Sequence, residues 1–178
     1  MRFIITLACV TLILASCGGD SASDNGDPNG NIATNNECGF SGTITGELNY
    51  TVTHDLSNGC GGATTPDGEL ITSFGGLPGS EPNIKIYHEN FMPGQSGGNN
   101  TAHIIIHRVL GDNREWATAL GACTINISSS QVDSNNGKIK ISGNGSCASA
   151  ALPDTNSGAT TNISIEPFSF ESMWLTWP

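Results

Sequence analysis

Positive charge is scarce in this chain: six Lys and Arg stand against sixteen Asp and Glu, a net charge of −10. Such a surface repels phosphate backbones, so a nucleic-acid partner is excluded. The acids are scattered, and none sits in a recognisable catalytic or metal-binding motif. A diffuse negative charge is not a metal site. No Cys-x-x-Cys pair occurs, which argues against a zinc centre. After the N-terminal segment, no apolar stripe at helical spacing persists over ten residues. The apolar run from Phe3 to Leu14 is too short to cross hydrocarbon. No internal repeat is present. A helical bundle, a membrane span, a zinc module and a repeat array are therefore all disfavoured.

What remains is a β pattern. Ile44, Gly46, Leu48, Tyr50 and Val52 fall at every second position, the period of a half-buried strand. Further strands are expected at 70–74, 84–88, 102–109, 116–120, 123–128, 138–142, 163–170 and 173–177. The connections are rich in Gly, Asn, Ser and Pro, as at Ser57-Asn58-Gly59, Pro93-Gly94 and Asn99-Asn100. Many short strands at close spacing predict an all-β fold, an antiparallel β-sandwich or barrel. Ile104-Ile105-Ile106 calls for a central strand covered on both faces. The aromatic C-terminus, Trp174 to Trp177, predicts a last strand integral to the core.

Four cysteines follow the N-terminal segment: Cys38, Cys60, Cys123 and Cys147. They fit an oxidising compartment and allow three pairings. The turn chemistry favours one. Residues 123–127 and 137–143 both alternate as strands, and Ser134-Asn135-Asn136-Gly137 lies between them. Asn-Gly is a strong hairpin signal. Position 135, midway between Cys123 and Cys147, lies in that turn. A symmetric hairpin therefore sets the two cysteines opposite each other, with Cα atoms about 4.4–6.8 Å apart. That leaves Cys38 with Cys60. Each bridge closes a loop worth about 3 kcal/mol in the loop-entropy account.

The N-terminus carries the most specific signal. Arg2, the apolar run Phe3 to Leu14 and the small residues after it follow the order of a secretory signal peptide. The run closes in Leu14-Ala15-Ser16-Cys17, which resembles the lipobox of bacterial lipoproteins. The resemblance covers residues 1–17 only and implies processing and location. Residues 1–16 would be removed, Cys9 with them. Cys17 would be acylated on its thiol and its new amino group, holding the chain on a membrane without crossing it. In many Gram-negative members an aspartate after the cysteine favours the inner membrane. Gly18 stands here, so the implied location is the outer membrane. Residues 17–37 hold almost no large apolar side chain and are expected to form a disordered tether. The 19 residues of 18–36 would span about 25 Å on average. Asp20, Asp24 and Asp27 do not match an EF-hand spacing. Residues 38–178 are read as a single β domain. Without Arg2 the mature chain carries a net charge of −11.

Candidate chemistry is sparse. Gly94-Gln95-Ser96-Gly97-Gly98 matches Gly-x-Ser-x-Gly and resembles the nucleophile loop of trypsin-like proteases. Gln95 stands where that family has aspartate, and the Pro, Gly and Asn flanks read as a loop. His54-Asp55 precede it, but adjacent strand residues point apart. His103 and His107 share a strand face about 13 Å apart, too far for one metal. They read as partly buried rings with hydrogen-bond partners. His88-Glu89-Asn90 reads as a strand-end cluster facing solvent. Trp116, Trp174 and Trp177 read as core or rim rather than a sugar-stacking platform. No cofactor, metal or catalytic residue is assigned. The expected function is a lipid-anchored, non-catalytic binding or structural module with a protein or carbohydrate ligand. The alternative is a small secreted hydrolase that brings a histidine and a carboxylate together. A pocket with a histidine beside a carboxylate favours the second. An exposed apolar patch favours the first.

Overall fold

The computed structural model describes residues 38–65, 67–77, 82–108, 114–147, 152–153 and 162–176. The signal segment, Cys17, the tether and Trp177 lie outside them. The described strands are β1 (Gly39–Gly46), β2 (Tyr50–Asp55), β3 (Cys60–Thr64), β4 (Leu70–Phe74), β5 (Asn83–His88), β6 (Asn99–Arg108), β7 (Arg114–Ala117), β8 (Cys123–Asp133), β9 (Lys138–Cys147), β10 (Leu152–Pro153), β11 (Asn162–Ile165), β12 (Phe168–Glu171) and β13 (Leu175–Thr176). The described residues include no α-helix, only a single 3₁₀ turn at Leu56–Asn58. All strand pairs are antiparallel, and the sheet runs β2–β1–β12–β9–β8–β6–β5–β4–β3, nearly closed as a barrel. Three strands share one of their edges between two neighbours. β11 and β12 split an edge of β1, β12 and β13 an edge of β9, and β7 and β8 an edge of β6. The two ends of the path, β2 and β3, are consecutive in the chain, and the Cys38–Cys60 disulfide staples β3 back to the start of β1.

Alternation puts one face of each strand inside. Ile84, Ile86, Ile104, Ile106, Ile125, Ile127 and Ile139 have no exposed surface, and Phe40, Phe74, Phe168 and Phe170 pack as an aromatic cluster with ring centroids 5.5–6.5 Å apart. Apolar-in and polar-out is the reverse of a barrel that faces lipid. The large rings need space, and inward-facing glycines supply it. A Cβ on Gly145 would lie 2.4 Å from the Phe168 ring and 2.5 Å from Ile125. Ile104 and Ile106 are fully buried, but Ile105 lies half-buried on the outer face. The strand is central within its sheet, flanked by β5 and by β7 and β8, without cover on both faces.

Two expected strands are broken. The run 44–52 is a hairpin. Gly46 takes φ +104°, and the Asn49 side chain bonds both the N–H and the C=O of Gly46, which turns the chain between β1 and β2. The run 163–170 divides into β11 and β12 around Glu166-Pro167, since proline has no N–H for the ladder. The last strand is integral as expected: β13 pairs with β9 and Leu175 is buried.

Both disulfides form as read, Cys38–Cys60 and Cys123–Cys147. Cys123 sits directly opposite Cys147 in the β8–β9 ladder. Their Cα atoms are 3.9 Å apart, closer than the expected range of about 4.4–6.8 Å. The register depends on a β-bulge at Ser128. The tip pairs Asp133 with Lys138, and an unbroken ladder would then set residue 148 opposite Cys123. The extra residue on β8 shifts the pairing by one and brings Cys147 into line.

Candidate functional site

Three connections meet at one end of the sheet and enclose a cleft of about 570 Å³ lined by Asp67, Gly68, Glu69, Glu89, Asn90, Phe91, Met92 and Leu120. Local turn chemistry builds each wall. In the β3–β4 connection Gly68, at φ +84°, donates to the Thr65 carbonyl, and the Thr65 side chain accepts from the Glu69 N–H. In the β7–β8 connection Ala122 N–H bonds Ala119 C=O, with Gly121 at φ +69° in the third turn position. Glycine suits that conformation, and the turn thrusts Leu120 outward. In the β5–β6 connection Asn90 takes φ +54°, and Gln95 N–H bonds Met92 C=O across Pro93-Gly94. This loop is strapped to β8, where Gly97 N–H donates to Ile127 C=O at 2.7 Å and Gly94 N–H to Ser130 Oγ at 3.0 Å. The bulge that aligns the cysteines thus lies where the cleft's loop is anchored.

Glu89 is the best-held polar group of the site. Its Oε1 accepts from Gly121 N–H at 2.8 Å and lies 3.3 Å from His103 Nδ1. Burial raises the pKa of this carboxyl. The bonds from Gly121, the Thr101 side chain and His103 outweigh that effect and hold it below the usual glutamate range. His103 Nδ1 also lies 4.0 Å from Glu69 Oε1, and its ring stacks on Tyr87 with centroids 4.3 Å apart. Burial, then Glu69 and Glu115, push the Tyr87 hydroxyl's pKa up. A histidine oriented by a carboxylate is two-thirds of a nucleophile-activating arrangement, which also needs a nucleophile on the other ring nitrogen. No residue fills that place among the described residues. Nor do any three His, Cys, Asp or Glu side chains among them gather to hold a metal ion.

The other residues singled out in the sequence lie apart. Ser96 is exposed in the loop 93–98, and its hydroxyl meets no histidine ring among the described residues. His54 is buried with Nε2 2.7 Å from Pro82 C=O, while Asp55 caps the 3₁₀ turn, so the two point apart. His88 does not face solvent. Its ring is fully buried beside Phe91 and Phe170, with Nε2 3.0 Å from Thr72 Oγ1, because its place in β5 continues the inward row Ile84, Ile86. His107 shares the outer face with His103, opposite Asn83 and Glu115. Trp116 is fully buried under the Arg114 guanidinium, which lies 4.7 Å from its ring and also pairs with Glu47. It therefore presents no stacking surface, and Trp174 is half-buried. Asp67, Glu69, Met92 and Leu120 went unnoticed in the sequence as site residues. Thr65-Pro66-Asp67-Gly68 is a turn signal that locates the first wall. Nothing local shows that it meets Leu120.

Comparison with protein-family models, curated proteins and solved structures found no match.

Proposed function

We propose that this chain is a lipid-anchored extracytoplasmic β-barrel that acts at the outer membrane as a non-catalytic binding module, with the loop-end cleft as its binding surface. The observation that carries the binding role is the exposure of Met92 and Leu120, 59% and 77%, beside a cleft at the end of a disulfide-stapled barrel. Exposed apolar side chains grouped at a concave site mark interaction surfaces. The lipobox-like Leu14-Ala15-Ser16-Cys17 supports the location. The test is photo-crosslinking in the native membrane from a photoreactive residue at position 120, with position 53 on β2 as control. A discrete crosslinked species specific to position 120 supports the reading, and equal crosslinking from both positions contradicts it.

A second reading, a small hydrolase, draws on the His103–Glu89 pair. It predicts hydrolytic turnover that His103→Ala abolishes and labelling by an active-site-directed fluorophosphonate that the same variant removes. The binding reading predicts neither.

A further inference from the structure

We propose that the cleft docks a segment of a partner protein that presents a Lys or Arg side chain next to an apolar one. This rests on the binding reading above and names the occupant. The cleft is lined by apolar side chains, Phe91, Met92 and Leu120, and by the carboxylates Asp67, Glu69 and Glu89, of which Glu89 is already held by Gly121 N–H and His103. A purely apolar occupant would strip water from the Asp67 and Glu69 carboxylates without offering them a partner, which is costly. A cation seated against Asp67 and Glu69, with an apolar neighbour on Met92 and Leu120, satisfies both kinds of lining. Among the described residues that line the cleft there is no Lys or Arg, so Asp67 and Glu69 can take a partner's cation. Two observations favour a protein segment over a free amine. Leu120 is 77% exposed and stands proud of the cleft, so its contact area lies mostly outside the cavity. A small cation inside would leave Met92 and Leu120 uncovered. The net charge of −11 on the mature chain attracts basic partners in general.

The experiment is binding of fluorescent peptides to the full chain in zwitterionic nanodiscs. The peptides alternate Lys with Leu, Glu with Leu, or Lys with Ser, and spermidine is a competitor. The Lys–Leu peptide is expected to bind best, to weaken with salt, and to lose about tenfold in affinity with Leu120→Ser and with Asp67→Asn/Glu69→Gln. These are surface positions, and circular dichroism of each variant checks that the barrel is intact. Equal binding of the Glu–Leu peptide overturns the charge assignment and leaves the cleft as a binding surface. Equal binding of Lys–Ser, or displacement by spermidine at the peptide's own concentration, overturns the apolar half. Binding that ignores Leu120→Ser overturns both this inference and the cleft reading. No binding by any peptide overturns this inference alone, because position-120 crosslinking still tests the reading beneath it.

Discussion

The setting of His88 makes the stability of the fold depend on pH. Burial among Phe91, Phe170 and Thr72 pushes its pKa from 6.5 down to about 3. The folded state keeps the ring neutral, whereas the unfolded chain takes up a proton below its ordinary pKa. The stability His88 allows is therefore full above pH 6.5 and is lost progressively as pH falls towards 3, a loss on the order of 4 kcal/mol. Urea titrations across that range are expected to show the loss in the native protein and a much flatter profile in His88→Gln. Equal slopes would mean that the ring is not held neutral. Gly145 offers a second test at this scale. A methyl there meets Phe168 and Ile125, so Gly145→Ala should cost about 1–3 kcal/mol by overpacking. Gly61→Ala, with nothing within 4 Å of the added carbon, should stay within about 0.5 kcal/mol in the same thermal melts. A similar loss in both would rule out packing as the cause. Residue by residue, the sequence reveals which types are present but not which way they face. His88 follows the inward row of β5 by parity alone, yet a histidine at a strand end resembles a solvent-facing one until Phe170, Phe91 and Thr72 enclose it.

The β8–β9 hairpin shows both how far an element can be read and where reading stops. Asn-Gly marks the tip, and the alternation of residues 123–127 and 137–143 marks the arms. Those signals suffice to pair Cys123 with Cys147. They miss the bulge, because Ser128-Ser129-Ser130 carries no mark of which serine is the extra one. Deletion of Ser128 is expected to move Cys147 out of register, leaving Cys123 and Cys147 reactive in a thiol titration of the denatured protein, and to loosen the loop held by Ile127 C=O. A bridge that still forms would show that the turn, not the bulge, sets the register. The broken strands follow the same pattern. Pro167 is a visible break in the ladder, whereas the Gly46–Asn49 turn sits within an alternation that reads as one strand. The walls of the cleft are legible one turn at a time, but their meeting depends on the order of β3 to β8 around the barrel.

At the scale of the whole molecule, alternation, turn residues and cysteine count are enough to give an all-β, disulfide-bonded fold. The path of the sheet is not legible, because β1 finds β11 and β12 at the far end of the chain, and long-range pairing leaves no local trace. Disulfides persist outside the cytoplasm, the location proposed for this apolar-in barrel together with an N-terminal lipid at Cys17. The central claim is tested most directly by the intact mass of the native protein extracted from its own membranes, alongside Cys17→Ala. The account predicts a mature chain that begins at Cys17, carries added acyl mass and is short of its reduced mass by the hydrogens of both disulfides, with Cys17→Ala left unprocessed or released in soluble form. A mature N-terminus at any other residue, or a Cys17 terminus without acyl mass, would contradict it.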